Sequence, residues 1–135
     1  MIVDDERDSR DLLRAMLAPT QARVTEAASA QEALRLIARD RPDIILADIA
    51  MPNQDGYSLM RAIRSLPEGE GQHVRAIAVS AYARREDKQR VARSGFNEHL
   101  AKPVQPDDLF DVLERVWLRA ADAMPRDAKR NAQVH

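Results

Sequence analysis

Four short segments of the chain each carry, at or next to their last position, a polar residue with the chemistry to handle a phosphoryl group. They read IVDD, ILAD, AVS and LAKP, and they supply Asp4, Asp5, Asp48, Ser80 and Lys102. Carboxylates that lie close together raise one another's pKa unless a cation is near, and an all-oxygen ligand set suits Mg²⁺. An ammonium group and a hydroxyl beside one carboxylate would surround the oxygens of a phosphoryl group.

Asp48 is the member of this set best placed to react. A carboxylate can attack phosphorus and form an aspartyl phosphate, and Asp48 follows the apolar run Ile44–Ala47 directly. Each residue alone also has an ordinary structural interpretation, because aspartates cap helices and loops, serines end many strands, and Lys-Pro pairs form turns. The chemical interpretation depends on all of them falling at strand ends.

The elements that would position these residues follow from the hydrophobic pattern, in which five short apolar runs alternate with stretches of helical periodicity. The predicted strands are Met1–Val3, Ala22–Glu26, Ile44–Ala47, Ala76–Val79 and Glu98–Ala101. The order βαβαβαβαβα predicts a parallel sheet with helices on both faces. Since the carboxyl ends of parallel strands meet at one edge, the polar residues would share a rim there.

Local signals mark several helix ends. Ser29 with Glu32 three residues later is a capping-box pattern, Gly95 is placed to end the weak helix predicted over 84–94, and Pro106 suits the first turn of the last helix. Asp55-Gly56 reads as a turn. We expect one domain over residues 1–120 and a disordered C-terminal tail over residues 121–135.

Composition narrows the function classes. The 135 residues include 21 basic and 22 acidic side chains, for a net charge of -1, so neither a nucleic-acid partner nor membrane contact is expected. There is no cysteine, which excludes disulfides and thiolate metal sites and disfavours zinc. No apolar run approaches the ~18 residues of a membrane span, and the cytoplasm is the expected compartment.

With these motifs in place, the chain resembles the receiver domain of two-component response regulators over about residues 1–120. The matching motifs are Asp4-Asp5, the loop DIAMPNQDG that begins at Asp48, Ser80-Ala81 and Lys102-Pro103. The resemblance implies a flavodoxin-like, doubly wound α/β fold with five parallel strands in the order 2-1-3-4-5. It also implies that Asp48 accepts a phosphoryl group from a histidine kinase or a histidine phosphotransfer protein.

The resemblance assigns a Mg²⁺ cofactor and its ligands. Asp5 and Asp48 would bind the ion together with the backbone carbonyl of Ala50, and Asp4 would act directly or through water.

The resemblance assigns further roles on the other side of the site. Lys102 would contact the phosphoryl oxygens, Ser80 would move toward them after phosphorylation, and the Lys102–Pro103 peptide bond would be cis.

Three features depart from the family's usual pattern. Only three residues precede the acidic pair, so we expect a clipped first strand, a destabilised domain and a trimmed or late-starting chain. His99 stands where Tyr or Phe is common, and it is either a pH-sensitive switch or a partly exposed histidine. Ala50 cannot orient water and Tyr82 would shield the phosphoryl bond, which predicts a long-lived phosphoryl group.

The expected output is protein–protein contact, through the face formed by the fourth helix, fifth strand and fifth helix. The segment GFNEHLAKPV resembles receivers fused to hybrid histidine kinases, and the residues after Trp117 show no helix-turn-helix pattern. We expect no enzymatic activity beyond phosphorylation and dephosphorylation of Asp48 itself.

Two alternatives remain open. One is a Mg²⁺-dependent phosphohydrolase with an aspartyl-phosphate intermediate, although Ala50 stands where such enzymes usually carry a second aspartate. The other is a receiver-like interaction module that is never phosphorylated. A doubly wound nucleotide-binding protein is disfavoured, because no glycine-rich loop follows the first strand.

Overall fold

The structure is a computed structural model that describes residues 1–81 and 85–123. Within these residues strands and α-helices alternate along the chain. The elements are β1 (Ile2–Val3), α1 (Arg7–Leu17), β2 (Glu26–Ala27), α2 (Ala30–Asp40), β3 (Ile44–Asp48), α3 (Gly56–Arg64), β4 (Arg75–Ser80), α4 (Arg85–Arg93), β5 (Glu98–Ala101) and α5 (Pro106–Ala123). All strand pairs are parallel, and the sheet order β2-β1-β3-β4-β5 confirms the predicted topology.

Successive strand residues point to opposite faces of the sheet, and helices cover both of these faces. In β3, Ile45 and Ala47 pack with α2, α3 and Val91 of α4, while Leu46 packs with α1 and α5. Every residue of β3 after Ile44 is buried. This two-sided burial explains why the central strands are continuously apolar rather than alternating.

The first two strands are shorter than the sequence pattern predicted. β2 was expected at Ala22–Glu26, but it comprises only Glu26–Ala27. β1 sets this limit, because only its Ile2 and Val3 pair with Glu26 and Ala27, and Thr25 contributes one carbonyl, which accepts from the N–H of Ile2. β1 itself comprises Ile2–Val3, one residue fewer than the predicted Met1–Val3.

Several strand and helix ends also differ from the predicted limits. β3 and β4 each run one residue further than expected, so Asp48 and Ser80 are the last residues of their strands. α5 continues to Ala123, past the boundary expected at residue 120. Residues 124–135 and Tyr82 lie outside the described residues, and the disordered tail stays a prediction.

The predicted helix signals have specific contacts. The backbone N–H of Glu32 donates to Ser29 Oγ, while the Glu32 carboxylate accepts from the N–H of Ala28. Gly95 follows the end of α4 with a φ of 103°, a left-handed conformation that glycine adopts at little cost. α5 begins at Pro106.

One arginine fastens the far end of α3 to two loops. The guanidinium of Arg64 donates to the backbone carbonyls of Gln72, Val74 and Gly95 at 2.6–3.2 Å. Burial lowers the pKa of this guanidinium, and the nearby charge of Arg75 adds to the effect. Three backbone acceptors satisfy the partly buried cation, which joins α3 to the segments before β4 and β5.

None of the helices in the described ranges combines the length and the apolar composition that a membrane span requires.

Candidate functional site

Three aspartates meet at the carboxyl edge of the sheet. Val3 and Ala47 are paired across β1 and β3, so the residues that follow them leave neighbouring strands side by side. Carboxylate oxygens of Asp4, Asp5 and Asp48 all lie within 4.8 Å of one another. Asp4 and Asp48 are 1% and 5% exposed, whereas Asp5 is open to solvent.

Lys102 lies against the two buried aspartates. Its Nζ is 3.2 Å from Asp48 Oδ2 and 3.6 Å from Asp4 Oδ2. We call Asp4, Asp5, Asp48 and Lys102 the acceptor cluster. Burial lowers the pKa of Lys102, but attraction to Asp48 and Asp4 outweighs it and leaves the pKa raised, so the ammonium is charged at neutral pH.

Both carboxylate oxygens of Asp48 have a donor. The backbone N–H of Ala50 donates to Oδ1 at 3.1 Å, and Lys102 donates to Oδ2 at 3.2 Å. Burial raises the pKa of Asp48 and is the largest effect, with repulsion from Asp4 in the same direction. The Ala50 hydrogen bond and the Lys102 charge oppose it without cancelling it. Asp48 is therefore a desolvated carboxylate held in a fixed orientation.

Asp4 also shapes the chain between β1 and α1. Its Oδ1 accepts from the N–H of Glu6 at 2.9 Å, and its backbone carbonyl accepts from Arg10 at 2.8 Å. Arg10 reaches Glu26 of β2 as well, at 3.4 Å. One oxygen of Asp4 therefore organises the turn before α1 while the other faces Lys102. Asp4 does not cap α1, since the N-cap residue is Glu6 and no side chain caps that helix.

Arg10 is a contributor that inspection of the sequence missed. It lies six residues after Asp4, on the first turns of α1, and holds that residue's carbonyl. The signal was a basic residue about one and a half turns after an acidic pair, which is too common in helices to single out alone.

The segment after Asp48 fits closely against it. Asp55 Oδ1 accepts from the N–H of Ser58 and caps α3. A Cβ on Gly56 would lie 2.8 Å from the carbonyl oxygen of Asp48 and from the Cα of Ile49. Glycine is therefore required here by close backbone approach, and the turn signal in the sequence did not reveal this.

A cation–π contact links the same segment to α4. The guanidinium carbon of Arg90 lies 4.1 Å from the ring centroid of Tyr57, which is buried beside the loop. The sequence pattern did not suggest this pair, since the two residues are 33 positions apart and only the folded chain brings them together.

Ser80 and His99 form a second group, which we call the serine–histidine pair. Ser80 is 2% exposed at the end of β4, and its Oγ lies 2.9 Å from Nε2 of the half-buried His99 on β5. Burial lowers the pKa of His99, the charge of Lys88 adds to this, and Asp87 opposes it. His99 is therefore largely neutral at pH 7.

The serine–histidine pair is joined to the acceptor cluster through the backbone. The N–H of Lys102 donates to the carbonyl of Ser80 at 2.8 Å, and the Lys102–Pro103 peptide bond is cis. Of the residues singled out in the sequence, the structure thus brings together the three aspartates, Lys102 and the Ala50 backbone, and it ties Ser80 to His99. Tyr82 lies outside the described residues.

The donor set fits a magnesium ion. Its ligand atoms are carboxylate oxygens, two of the three groups are buried without enough positive charge to match them, and the third opens to water. Mg²⁺ prefers such oxygen ligands and keeps several of its waters.

Comparison with known proteins agrees with this geometry. The family model of the response regulator receiver domain matches residues 1–114. An uncharacterized 14.6 kDa protein in the sodA1 3′ region of Leptolyngbya boryana is 47% identical over 128 residues, which are 95% of this chain and 93% of that protein. The sensor histidine kinase RcsC of Escherichia coli K12 is 37% identical over 113 residues, and there the match spans 84% of this chain but only 12% of the kinase.

A solved structure with a bound metal ion is also similar to this chain. The receiver domain of the sensor histidine kinase PA1611 from Pseudomonas aeruginosa, with a magnesium ion coordinated in its active-site cleft, superposes with a TM-score of 0.75 at 36% identity. The match covers 84% of this chain and 92% of that one. The chain therefore belongs to the response regulator receiver domain family of two-component signalling systems.

Proposed function

We propose that the protein is a phospho-accepting switch of a two-component phosphorelay, in which Asp48 takes the phosphoryl group. The observation that carries the proposal is the setting of Asp48. It is buried at the end of a central strand, both of its oxygens have donors, and two further aspartates and one lysine surround it. A carboxylate with no role in phosphoryl chemistry would gain nothing from so much neighbouring negative charge.

The proposed step is a transfer from phosphohistidine. A carboxylate oxygen of Asp48 attacks phosphorus, the P–N bond to the imidazole breaks, and the imidazole leaves with that electron pair and takes up a proton. Lys102 already touches Asp48, and would contact the phosphoryl oxygens as their negative charge moves onto the site. Ser80 would supply a hydroxyl donor to the same oxygens.

Asp5, Asp48 and the backbone carbonyl of Ala50 would hold Mg²⁺, with Asp4 acting directly or through water. When bound, the ion would neutralise the aspartates and the incoming phosphoryl oxygens. The chain's own contribution is to orient Asp48 through the Ala50 N–H and to keep Lys102 charged beside it.

The partner follows from the relatives. The regions of RcsC and PA1611 that match belong to sensor histidine kinases, so we infer a histidine kinase or a phosphotransfer protein as the donor, in the cytoplasm where such kinases have their ATP. The output would be protein–protein contact through α4, β5 and α5. A further proposal is that this chain comes from a hybrid kinase.

The alternatives fit less well. A phosphohydrolase would need a second acid or base near Asp48, and Ala50 offers only an exposed methyl group at the position expected for it. An unphosphorylated module would not need the acceptor cluster. The prediction that Ala50 and Tyr82 prolong the lifetime of the phosphoryl group stays a proposal, which Ala50→Asn and Tyr82→Glu would test through the dephosphorylation half-life.

Acetyl phosphate with Mg²⁺ tests the central claim. Intact mass should show one added phosphoryl group on the wild type and none on Asp48→Asn. Asp55→Asn is the matched control, because Asp55 is an aspartate of the same loop whose carboxylate caps α3, and this variant should still be phosphorylated. Equal labelling of Asp48→Asn and the wild type would sink the proposal.

A further inference from the structure

We propose that Arg10 is a positioning residue for the metal site: its guanidinium fastens the backbone at Asp4 to β2 and thereby sets the affinity for Mg²⁺. The inference rests on the proposed Mg²⁺ site, to which it adds a residue that binds no metal itself. A guanidinium offers hydrogen-bond donors only. Any effect of Arg10 on the metal must therefore pass through the residues it holds or through its charge.

The pairing of β1 with β2 ends where the predicted metal ligands begin. Each of these strands has two residues, and beyond them the N–H of Asp4 donates to the carbonyl of Ala27 at 3.1 Å. The carbonyl of Asp4 accepts from Nη1 of Arg10 at 2.8 Å, and α1 does not begin until Arg7. A side chain of α1 therefore takes over from the sheet in holding the backbone that carries Asp4 and Asp5.

The guanidinium of Arg10 contacts both strands. Nη1 donates to the Asp4 carbonyl, while Nε lies 3.4 Å from Oε1 of Glu26 on β2. The planar fork of arginine suits such separate acceptors, whereas a lysine ammonium is a point charge on a flexible stem. The Arg10 side chain is only 16% exposed, so its ion pair is screened less by water than a surface pair is. Arg10 therefore fixes the end of β1 relative to β2.

Glu26 is itself held from the other side. Its Oε2 accepts from Nε and Nη2 of Arg14 at 3.0 and 2.6 Å, which leaves Oε1 for Arg10. One carboxylate thus lies between two guanidinium groups that are one helical turn apart on α1. Arg14 is 48% exposed, so its ion pair should contribute less than that of Arg10. The contacts predict an order of importance for the metal site, from Arg10 through Glu26 to Arg14.

The sign of the effect separates positioning from charge. A cation near a metal site repels Mg²⁺, so loss of the Arg10 charge alone would tighten binding. Loss of the contact with the Asp4 carbonyl would loosen the backbone that carries two ligands, and it would weaken binding by about tenfold, as is typical of outer-shell partners. Because the two effects have opposite signs, the affinity for Mg²⁺ decides between them.

The first experiment is a titration with MgCl₂ at constant ionic strength, followed by NMR. Arg10→Met should raise the Kd for Mg²⁺ about tenfold, and Glu26→Gln should raise it less, since it leaves the bond to Asp4 in place. Arg10→Lys keeps the charge but cannot reach both acceptors, so its Kd should lie between those of the wild type and Arg10→Met. Arg7→Met is the matched control, because it removes the same charge from the first turn of α1, where the side chain is 84% exposed. It should change the Kd by no more than about twofold.

The second experiment needs no metal. Amide hydrogen exchange in Mg²⁺-free buffer measures local opening of the turn, in which the N–H groups of Asp4 and Glu6 donate to the Ala27 carbonyl and the Asp4 carboxylate. Arg10→Met should speed exchange at these two amides about tenfold more than at the amides of β3 and β4, as expected for one lost hydrogen bond from a charged donor. A general loss of stability would speed exchange in β3 and β4 as well, so the comparison isolates local positioning.

Each result has a distinct meaning. Tighter or unchanged Mg²⁺ binding in Arg10→Met would overturn the positioning role, and wild-type affinity in Arg10→Lys would contradict the need for two acceptors. Exchange at Asp4 and Glu6 that stays in step with β3 and β4 would also overturn it. If the wild type binds no Mg²⁺, the proposed metal site is contradicted, and hydrogen exchange still decides whether Arg10 holds the turn.

Discussion

The acceptor cluster and the serine–histidine pair share the carboxyl edge of one sheet but are held together by different forces. The acceptor cluster gathers four charged groups from three chain segments, and attraction to Lys102 limits the repulsion between its carboxylates. The serine–histidine pair is a single hydrogen bond between neutral groups on adjacent strands. Because charges are strongly coupled at short range and one neutral hydrogen bond contributes little, changes in the pair should adjust the response without abolishing the chemistry.

Replacing Lys102 tests this contrast with the largest expected effect. Lys102→Met should slow labelling of Asp48 by acetyl phosphate about 100-fold or more, as is typical when one preorganised electrostatic contact is lost. His99→Phe should change the same rate by no more than about fivefold. Initial rates from intact mass measure both. Similar losses in the two variants would contradict the division into a chemical group and a tuning group.

Gly56 tests how far the acceptor cluster depends on backbone packing. Gly56→Ala would force a Cβ to within 2.8 Å of the Asp48 carbonyl oxygen, and we expect a loss of about 2–3 kcal/mol in the free energy of unfolding. Urea denaturation measures it. Gly69→Ala is the control, since its Cβ would meet nothing within 4 Å and only its positive φ costs about 1 kcal/mol. Equal losses would show that packing at Gly56 relaxes readily.

Magnesium bound at the acceptor cluster should stabilise the folded protein through mass action. At a Mg²⁺ concentration about 100 times the Kd, a ligand that binds only the folded state adds about 2.7 kcal/mol. We expect the melting temperature of the wild type to rise with Mg²⁺ and to fall again with a chelator, whereas Asp5→Asn should respond much less. Ser80→Ala should respond like the wild type. A response that is equal in Asp5→Asn would contradict the proposed ligand set.

In metal-free buffer, the charge of Asp48 should itself destabilise the fold. The pKa of Asp48 is raised in the folded state. The protonated carboxyl therefore stabilises the fold fully at a pH below its pKa in the unfolded chain, about 3.9, and this stabilisation is lost as the pH rises through its pKa in the folded protein. The free energy of unfolding of Asp48→Asn should therefore exceed that of the wild type by about 0.5–2 kcal/mol at pH 7. The difference should vanish near pH 3, and a difference that persists there would have another cause.

His99 should give the smallest effect, with the opposite pH dependence. Its pKa is lowered in the folded state, so the wild type is fully stabilised above the unfolded value of about 6.5 and loses stability as the pH falls through the folded value. Between pH 7 and pH 5, His99→Phe should lose less stability than the wild type, by less than about 1 kcal/mol. If His99→Phe lost more stability than the wild type between pH 7 and pH 5, the lowered pKa of His99 would be contradicted.

The sequence predicted most of what charge and hydrophobic pattern determine. Continuous apolar runs located β3 and β4, and the polar residues that follow them pointed to the acceptor cluster. The position of β2 could not be read from its own residues, because it is set by the two residues of β1 that pair with it. The contact of Ser80 with His99 depends on the register of β4 and β5, and the need for Gly56 depends on how closely α3 approaches β3.

The contacts of Arg64 suggest how this part of the domain can diverge. Its three strong acceptors are backbone carbonyls, so the contacts do not depend on the side chains of Gln72 and Val74. Gly95 is different, because its φ is 103° and a Cβ there would lie 3.0 Å from Arg64 Cγ. The arginine itself has no such freedom, since a lysine ammonium lacks the planar fork that reaches separate acceptors. Homologous sequences should therefore keep Arg64 and Gly95 together, while these hydrogen bonds set no residue type at positions 72 and 74.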